Sequence, residues 1–354
     1  MTDQRPIEIG YRWPAEWEPH AATWVAWPHN RETWPGRFEV IPQRMAAFVR
    51  TVARYEPVHV LAGNGSVMRE ARDLVGDDPH VTLHSIETND AWTRDFGPTF
   101  LQAVDQAPPA LVDWHYNAWG GKYPPWDRDA AVPRQLAERL DYRRFRAGLT
   151  LEGGAIESNG CGTVLTTESC LLNPNRNPTM TRETVEQYLT AFLMAQRVLW
   201  LDVPPLAGDD TDGHVDQLAR FVGKTTVVVA TCQDPTDENH EVSLRLGEQL
   251  AMMTDQAGNR WRVIPLPLPN AKYIEKQRIP ASYCNFYIAN GVVVVPQFGD
   301  PSDALACETL AKLFPGRTIV GLDALDLALG LGSFHCLAQQ QPVNRSAMAA
   351  GGTT

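Results

Sequence analysis

The sequence predicts an α/β fold, because short apolar strands alternate along it with amphipathic helices. The strand-like stretches are rich in β-branched residues and run for about 5–8 residues, which favours strands over fragments of helices. They lie at residues 58–63, 81–86, 110–116, 162–167, 197–202, 225–231, 261–268 and 291–297. Helical spacing of apolar residues appears around 38–54, 65–75, 181–195, 241–255 and 302–314. Helices between most strand groups are typical of α/β proteins.

Local signals predict where some elements begin and how the strands pair. Thr181 stands before "RETVEQYL" and Ser302 before "DALACETLAKLF", each in the position of a helix N-cap. Short turns containing Gly, Asn or Asp separate several strands, so we expect hairpins and mixed strand pairing. No linker or low-complexity stretch divides the chain, which predicts a single domain over residues 1–343. The small, polar residues 344–354 predict a flexible C-terminal tail.

Composition narrows the class of protein and of partner. The chain has 354 residues, 44% apolar and 21% charged, which is typical of a soluble globular protein. Its net charge of −11 argues against nucleic acid or an anionic membrane as partner and is compatible with a cationic small molecule. There is no apolar run of membrane-spanning length and no signal-peptide pattern at the start, so we expect a cytoplasmic location. The six cysteines are scattered without a C-x-x-C pair, so we expect free thiols.

Two loops combine charge, glycine and tryptophan in ways that packing alone does not require. In "NDAWTRDFGP" (89–98), Arg94 could pair with a carboxylate in a solvated loop. Alternatively, Trp92 could form an apolar wall while Asp95 meets a cation. The aromatic residues of "HYNAWGGKYPPW" (115–126) could roof a pocket or pack on the surface, and the sequence leaves both readings open.

Two further segments contribute acids and a histidine. In "LEGGAIESNGCGTVLTT" (151–167), Glu152 closes an apolar run, and a carboxylate there is costly unless it is paired. It is therefore either a structural ion-pair partner or a site residue. In "AGDDTDGHVDQLARFV" (207–222), His214 and Asp216 share a face if the segment is extended. An EF-hand is excluded because no glutamate stands at the final position after Asp209, Asp210 and Asp212.

Cys336 is the cysteine whose surroundings best suit a nucleophile. In "GLGSFHCLAQQQP" (330–342) it follows a glycine turn and precedes polar residues, so its position allows exposure and a lowered pKa. Cys161, in a turn, is a minor candidate. His335 is not expected to act as the base, because neighbours on an extended strand point to opposite faces. The remaining thiols are predicted to lie in the core or at interfaces: Cys170, Cys232, Cys284 and Cys307.

A thiol, a histidine and several carboxylates therefore stand on loops or strand ends. A thiol and a histidine also suit papain-like acyl transfer, but that reaction develops a negative charge that nearby acids would oppose. Carboxylates suit a guanidinium group, which is planar, cationic and rich in donors. This combination of a thiol, a histidine and several carboxylates favours attack by a cysteine on a guanidinium carbon.

The order of these motifs resembles the agmatine deiminase family, within the guanidino-modifying (pentein) superfamily that includes peptidyl-arginine deiminases. The resemblance covers almost the whole chain. It implies a five-bladed α/β propeller of repeated ββαβ units around a pseudo-fivefold axis, with the site at the centre. The motifs that carry it are "WPAEWEPHAATWVAWPHN", "NDAWTRDFGP", "NAWGGKYPPW", "LEGGAIESNGCGTVLTTESCLLNPNRNP", "DGHVDQLARF", "RIPASYCNFYIANGVVVVP" and "FHCLAQQQP".

The resemblance also implies residue roles. Cys336 would attack the guanidinium carbon, and His214 would protonate the departing ammonia and then activate water. Asp95 and Asp216 would hold the guanidinium nitrogens, and Glu152 would orient them or the histidine. Neither a metal nor an organic cofactor is required. The expected substrate-binding residues are Trp92, Asp95, Glu152, Asp216, Asp90 and Gly121.

The favoured reaction is hydrolysis of agmatine to N-carbamoylputrescine and ammonia. The alternatives are a deiminase of arginine, peptidyl-arginine or another guanidino compound, or a non-catalytic binding protein. We expect a small cationic guanidino partner, neither nucleic acid nor membrane, and leave a homodimer open. Two departures from the family's common form are expected beside the far end of the substrate: Ser333 with Phe334, and the acidic run "DDTDGHVD" (209–216).

Overall fold

The computed structural model describes residues 4–105 and 107–344, and it confirms an α/β fold. Apart from Asn344, the predicted tail lies outside the described residues. The strands, in chain order and numbered β1 to β19, are Tyr11–Arg12, His20–Ala26, Val58–Leu61, Val81–His84, Thr99–Ala103, Ala110–His115, Arg143–Thr150, Ile156–Ser158, Thr163–Thr167, Arg197–Leu201, Ala219–Gly223, Thr226–Thr231, Arg262–Pro267, Lys272–Ile274, Gln277–Ile279, Tyr287–Ile288, Val292–Gln297, Thr318–Asp323 and Ala338–Pro342.

The helices fall between these strands, and several are single turns. In chain order, numbered α1 to α10, they are Ile41–Ala53, Gly65–Val75, Thr93–Phe96, Ala118–Gly121, Asp127–Leu140, Glu168–Leu171, Arg182–Leu193, Asn239–Met252, Ser302–Leu313 and Phe334–Leu337. Each strand and helix predicted from periodicity overlaps one of these elements, so those predictions are confirmed. Among the described helices, none combines the length and the apolar character that crossing a membrane requires.

Five sheets share one pairing pattern. Each has a strand that pairs antiparallel with one neighbour and parallel with another, as β9 does with β8 and β10. The sheets run β1-β5-β6-β7, β8-β9-β10, β11-β12-β13, β16-β17-β18 and β19-β2-β3-β4, with β14-β15 as a separate hairpin. A parallel pair requires a long crossover, which helices α1, α5, α7, α8 and α9 supply in turn. The mixed pairing expected from the short turns is thus confirmed.

In each sheet, a short helical turn precedes the strand that pairs antiparallel with the strand leading into the crossover helix. These turns are α3 before β5, α10 before β19, and three 3-10 turns: Gly153–Ala155 before β8, Val215–Gln217 before β11 and Tyr283–Asn285 before β16. Each turn contacts the next, so that α3, the three 3-10 turns and α10 form a closed ring. The fold therefore brings five sequence-distant segments to one place, and we call them the central turns.

The two predicted helix starts have different outcomes. Thr181 is the N-cap of α7, because its side-chain oxygen accepts a hydrogen bond from the backbone N–H of Thr184 at 3.3 Å. The prediction for Ser302 is wrong, because α9 already includes Ser302 and follows Pro301. The backbone N–H of Ser302 donates instead to the carboxylate of Asp300 at 3.0 Å, which satisfies the free end of the helix.

This difference gives a paired stability test. Replacing Thr181 with alanine removes a cap and should lower the free energy of unfolding by about 1 kcal/mol. Ser302→Ala should change it by less than about 0.5 kcal/mol, because Asp300 still caps that helix. Urea unfolding followed by circular dichroism measures both values. Equal losses in the two variants would contradict the assignment of the caps.

Candidate active site

The central turns bring the predicted site residues together beside a cavity of about 950 Å³. Trp92, Asp95 and Cys336 line the cavity wall. Glu152, His214 and Asp216 are completely buried behind it. The hypothesis that distant acids, a histidine and a thiol share one site is therefore supported by their positions.

Cys336 lies in α10 with its thiol between an amide and a carboxylate. The side-chain amide of Asn285 donates to Sγ at 3.1 Å, and Sγ lies 3.4 Å from Oδ2 of Asp216. A Cβ atom on Gly332 would come within 3.0 Å of this sulfur and 2.7 Å of the Trp92 ring. Glycine at position 332 therefore leaves the space beside the thiol open.

The resting thiol is not poised as a thiolate. Burial raises the pKa of Cys336 well above its usual value, and the charges of Asp216 and Asp95 raise it further. The expectation that the position of Cys336 gives a lowered pKa is wrong for the free protein, because the side chain is only 5% exposed and faces acids. A positive charge placed beside this thiol would oppose the effect of the two acids and favour loss of its proton.

Asp95 is held in α3 with each carboxylate oxygen in a separate hydrogen bond. The backbone N–H of Gly154 donates to Oδ1 at 3.0 Å, and the indole N–H of Trp119 donates to Oδ2 at 2.9 Å. Burial, reinforced by Asp216 and Glu152, raises the pKa of Asp95 to about 6 although His214 opposes it. A cation placed beside this carboxylate would remove that penalty.

His214 lies between two carboxylates. Its Nδ1 is 3.6 Å from Oδ1 of Asp95, and its Nε2 is 3.7 Å from Oε2 of Glu152. Within the described residues, neither ring nitrogen has a hydrogen-bond partner. Burial acts to lower the pKa of His214, but Asp95, Cys170 and Glu152 outweigh it and raise the pKa well above its usual value. This histidine is thus able to hold a proton for transfer.

Glu152 is anchored by a buried arginine. Nε of Arg176 donates to Oε1 of Glu152 at 2.8 Å, and the guanidinium also pairs with Asp212 and binds the carbonyl of Thr211 at 3.0 Å. Burial alone would raise the pKa of Glu152, but His214 and Arg176 lower it below its usual value. Glu152 is therefore both an ion-pair partner and a neighbour of the site histidine. The two alternatives that the sequence left open for this residue thus hold together.

Asp216 is fixed from behind by His335. Nδ1 of His335 lies 2.7 Å from Oδ2 of Asp216, and its Nε2 lies 2.8 Å from Oε2 of Glu16. Burial would raise the pKa of Asp216, but His335 lowers it below the usual value, with smaller contributions from His214 and Arg220. The other oxygen, Oδ1, is buried without a hydrogen-bond partner among the described residues.

One condition considered for the local geometry is not met, and one expectation is wrong. The segment around His214 and Asp216 is not extended, because residues 215–217 form a 3-10 turn. Residues 334–337 form a helical turn, so His335 and Cys336 do not point to opposite faces of a strand, and both contact Asp216. The geometry keeps His335 behind the site, in contact with two carboxylates.

A glycine lies where these groups converge. A Cβ atom on Gly154 would come within 2.7 Å of both the Asp95 carboxylate and His214, and within 3.2 Å of Asp216. Any side chain at this position would push the acids and the histidine apart. This close approach explains the paired glycines that follow Glu152 in the sequence.

The outer wall of the cavity is formed by loops. Asp90 and Asp210 line it, and Lys122 pairs with Asp210 at 3.0 Å. Burial raises the pKa of Asp90 to about 6, although its oxygens accept hydrogen bonds from Thr33 and the backbone of Ala91. Three aromatic residues of the loop at 115–126 also line the cavity, Tyr116, Trp119 and Tyr123, which fits the pocket-roof reading of that loop.

Three residues lie elsewhere than expected. Gly121 is exposed and lies outside the cavity lining. The prediction that Ser333 and Phe334 lie beside the far end of the substrate is wrong, because both side chains are buried in the core. The hydroxyl of Ser333 donates to Asn285, and Phe334 stacks on Phe48 with ring centroids 5.0 Å apart. In the acidic run, Asp210 does reach the cavity wall.

The acids of the 209–212 loop are already engaged. Asp209 accepts from the backbone N–H groups of Thr211 and Gly213, and Asp212 pairs with Lys122 and Arg176. A different group has donor atoms within 4.8 Å of one another and could hold a metal: Glu152, Cys170 and His214. All six cysteines fall within the described residues, and each is a free thiol.

Comparison with known proteins identifies the family. A model of the family described as Porphyromonas-type peptidyl-arginine deiminase matches residues 12–342. The chain belongs to this family. Agmatine deiminase of Pseudomonas aeruginosa (strain LESB58) is 36% identical over 368 residues, covering 97% of this chain and 98% of the relative.

Solved structures of the same family have the same fold. Agmatine deiminase of Enterococcus faecalis has a TM-score of 0.91 at 32% identity and covers 97% of this chain and 99% of its own. A cysteine-to-serine variant of the C. jejuni agmatine deiminase with substrate bound has a TM-score of 0.85 at 30% identity, covering 94% and 96%. The family predicted from the motifs is thereby confirmed.

Sequence reasoning missed several residues that the structure places at the site. Asn285 had appeared only within the stretch "RIPASYCNFYIANGVVVVP", and no local pattern links it to Cys336, 51 residues away. Trp119 was recognised only as an aromatic residue of its loop. Glu16 and Arg176 carry no local signal, because their partners are distant in sequence. The N–H donors and ion pairs of the site became visible only with the fold.

The space beside the thiol gives a direct prediction. In Gly332→Ala the new methyl group would meet Trp92 and Cys336, so labelling of Cys336 by a haloacetamidine should slow by about tenfold or more. Gly247→Ala is the matched control, because its added Cβ would have no neighbour within 4 Å. Mass spectrometry of labelled peptides measures both rates. Unchanged labelling in Gly332→Ala would show that this position does not control access.

Proposed function

We propose that this protein is an agmatine deiminase, which hydrolyses agmatine to N-carbamoylputrescine and ammonia through a covalent intermediate on Cys336. One observation carries the proposal: a thiol on the cavity wall lies among three buried carboxylates, Asp95, Glu152 and Asp216. This arrangement suits a cationic, planar group with donors on its edges. The family relationship adds support, because relatives at 30–36% identity are named agmatine deiminases.

The first step is addition of sulfur to the guanidinium carbon. Asp95 and Asp216 would accept hydrogen bonds from the guanidinium nitrogens and present the carbon to Sγ of Cys336. The same cation would offset the two negative charges that raise the pKa of the thiol. With the substrate in place the thiol would release its proton to solvent, and the thiolate would form a C–S bond to give a tetrahedral adduct.

The second step expels ammonia, and the third admits water. His214 would give its proton to the departing nitrogen, so that the C–N bond breaks and an amidino-thioether remains on Cys336. A water molecule would then lose a proton to His214 and attack the same carbon. Collapse of this second adduct breaks the C–S bond and releases the ureido product. Glu152, held by Arg176, would keep the histidine in position.

The charges around the cavity favour agmatine over arginine. Carboxylates outnumber cations on its wall, and its three lysine and arginine side chains are already paired: Lys122 with Asp210, Arg128 with Glu87 and Arg31 with Glu39. An ammonium tail would be attracted to this wall, whereas the α-carboxylate of arginine would be repelled. Asp90 is our candidate for contact with the ammonium group, because it lies on the wall and its pKa of about 6 would fall when a cation binds.

We further propose that the five sheets are the blades of a propeller around a pseudo-fivefold axis. Three observations support this arrangement: the common pairing pattern, one crossover helix per sheet, and the closed ring of central turns. Strand β19 pairs with β2 and so joins both ends of the chain in one sheet. We place this catalytic unit within residues 1–343, with a small cationic guanidino compound as its partner.

Neutralising Asp216 should have opposite effects on two reactions of Cys336. In Asp216→Asn the pKa of the thiol should fall, because one of the charges that raise it is gone. Neutral iodoacetamide should then label Cys336 faster than in the wild type at pH 8, with the rate rising toward higher pH in both. The kcat/KM for agmatine should fall by at least about tenfold, or 1.4 kcal/mol, because one carboxylate no longer holds the cation.

Asp127→Asn is the control, because it removes a charge from the exposed part of the cavity wall. Its labelling rate should match that of the wild type. If Asp216→Asn slowed labelling, the proposed effect of Asp216 on the thiol would be overturned. If it left kcat/KM within about tenfold of the wild type, Asp216 would not hold the substrate.

The proposed function is tested by measuring ammonia and ureido product from agmatine, arginine and a peptidyl-arginine. We expect the highest kcat/KM with agmatine and equal amounts of the two products. Cys336→Ala should abolish turnover, whereas Cys161→Ala, which changes a partly exposed thiol in a turn, should retain it. Higher activity on peptidyl-arginine would overturn the substrate assignment. Full activity of Cys336→Ala would overturn the mechanism.

A further inference from the structure

A second thiol lies directly behind the catalytic histidine. Cys170, in α6, is completely buried, and its Sγ is 3.9 Å from Oε2 of Glu152. The same carboxylate oxygen is 3.7 Å from Nε2 of His214. These three atoms therefore form a compact set of sulfur, oxygen and nitrogen donors, all within 4.8 Å of one another. The sequence had predicted Cys170 only as a core or interface thiol.

The spacing matches that of a zinc coordination shell. Tetrahedral Zn²⁺ with ordinary bonds to Cys, His and a carboxylate places its ligand atoms about 3.3–3.6 Å apart. The Nε2–Oε2 separation of 3.7 Å and the Sγ–Oε2 separation of 3.9 Å would need to close by only a few tenths of an ångström. The third separation, between the sulfur and the histidine nitrogen, lies within 4.8 Å, so a side-chain adjustment would bring these two atoms to the same spacing. Three protein ligands would leave a fourth position for water.

The donors also have free coordination capacity. The ring of His214 is fully buried, and neither nitrogen has a hydrogen-bond partner within residues 4–105 and 107–344. Arg176 donates to Oε1 of Glu152 and leaves Oε2 facing the histidine and the thiol. A buried nitrogen without a partner is costly, so a bound ion at Nε2 would relieve an existing penalty.

The surrounding charge favours a dication. Asp95 and Asp216 lie close to this group. Glu152 and His214 affect the pKa of Asp95, and His214 affects the pKa of Asp216. Arg176 offsets part of this negative charge but is itself shared with Asp212. The group thus combines excess negative charge with the ligand types that Zn²⁺ and similar ions prefer.

We propose that Glu152, Cys170 and His214 form a binding site for Zn²⁺ or a similar divalent ion, and that the bound ion inhibits the enzyme. Binding would release two protons to solvent, the thiol proton of Cys170 and the proton that His214 carries on Nε2, with no change in oxidation state. The bound ion would occupy a nitrogen of His214 and fix Glu152. The histidine could then no longer carry protons in the reaction. The proposed inhibition therefore rests on the proposed function, whereas the proposed metal binding does not.

The competing site is the catalytic thiol itself. Cys336 and Asp216 are 3.4 Å apart and could also hold an ion. Their donor atoms are already used, however, because Asn285 donates to both Sγ and Oδ2, and His335 contacts the same Oδ2. A metal there would have to displace two hydrogen-bond partners. In the Cys170 group a metal would replace only the long contact of the thiol with Glu152 at 3.9 Å and the 3.7 Å ion pair between Glu152 and His214.

Equilibrium dialysis of chelator-treated protein against Zn²⁺ distinguishes the two sites. Wild type, Cys336→Ala and the surface-thiol control Cys161→Ala should each bind one ion with similar affinity. Cys170→Ser should bind more than about tenfold more weakly, because even the loss of an outer partner of a metal ligand costs that much. Binding lost in Cys336→Ala and kept in Cys170→Ser would overturn the proposal, as would the absence of stoichiometric binding in the wild type.

Cobalt provides a measurement that does not depend on the folding of Cys170→Ser. Co²⁺ added to the wild type and to Cys336→Ala should give thiolate-to-cobalt charge-transfer absorption and the visible bands of tetrahedral coordination. Spectra without a thiolate band in Cys336→Ala would contradict the role of Cys170.

Inhibition is tested separately with agmatine as substrate. Zn²⁺ should suppress ammonia release by the wild type, and a chelator should restore it. The residual activity of Cys170→Ser should need at least about tenfold more Zn²⁺ for the same suppression. Equal sensitivity of the two proteins would overturn inhibition through this site.

Discussion

A single buried carboxylate, that of Glu16, joins all five sheets behind the active site. Its Oε2 contacts Arg94 at 3.2 Å, Arg220 at 2.9 Å and His335 at 2.8 Å. Its Oε1 accepts the backbone N–H of Ile288 at 2.8 Å. Arg220 extends the set by pairing with a glutamate of the remaining sheet, Glu157, at 3.1 Å. Burial acts to raise the pKa of Glu16, but Arg220, His335 and Arg94 hold it well below its usual value.

This network constrains the chemistry because a buried charge is tolerated only with its partners in place. His335 connects Glu16 to Asp216, and Asp216 lies against the sulfur of Cys336. A shift of one sheet relative to the others would separate at least one buried ion pair or, for the sheet that contains Ile288, a buried hydrogen bond. The position of the Cys336 thiol is therefore tied to the closure of the whole fold, not to the rigidity of α10 alone.

The sequence was sufficient where a signal is local. Strand and helix periodicity, the Thr181 cap and the family of the chain were all predicted correctly, and the five proposed catalytic residues do converge in space. Helix α5 was missed because Pro133 interrupts its helical pattern of apolar residues, and proline normally disfavours a helix interior. Glu16 and Asn285 were missed because their roles depend on partners far along the chain. The helical turns at 215–217 and 334–337 were taken as extended, since four residues or fewer are too short to show a period.

The directions of the pKa shifts explain how the site would select a cation before it reacts. Glu152 and Asp216 each have a basic neighbour behind them, so their pKa values are lowered and their negative charges are already present in the free protein. Burial, with the charges of Asp216 and Asp95, raises the pKa of Cys336 and keeps it as a neutral thiol. A neutral ligand in the cavity would leave that balance unchanged, whereas a guanidinium group would reverse it and release the thiolate. Substrate recognition and activation of the nucleophile would thus use the same carboxylates, which makes the reaction depend on the positive charge of what is bound.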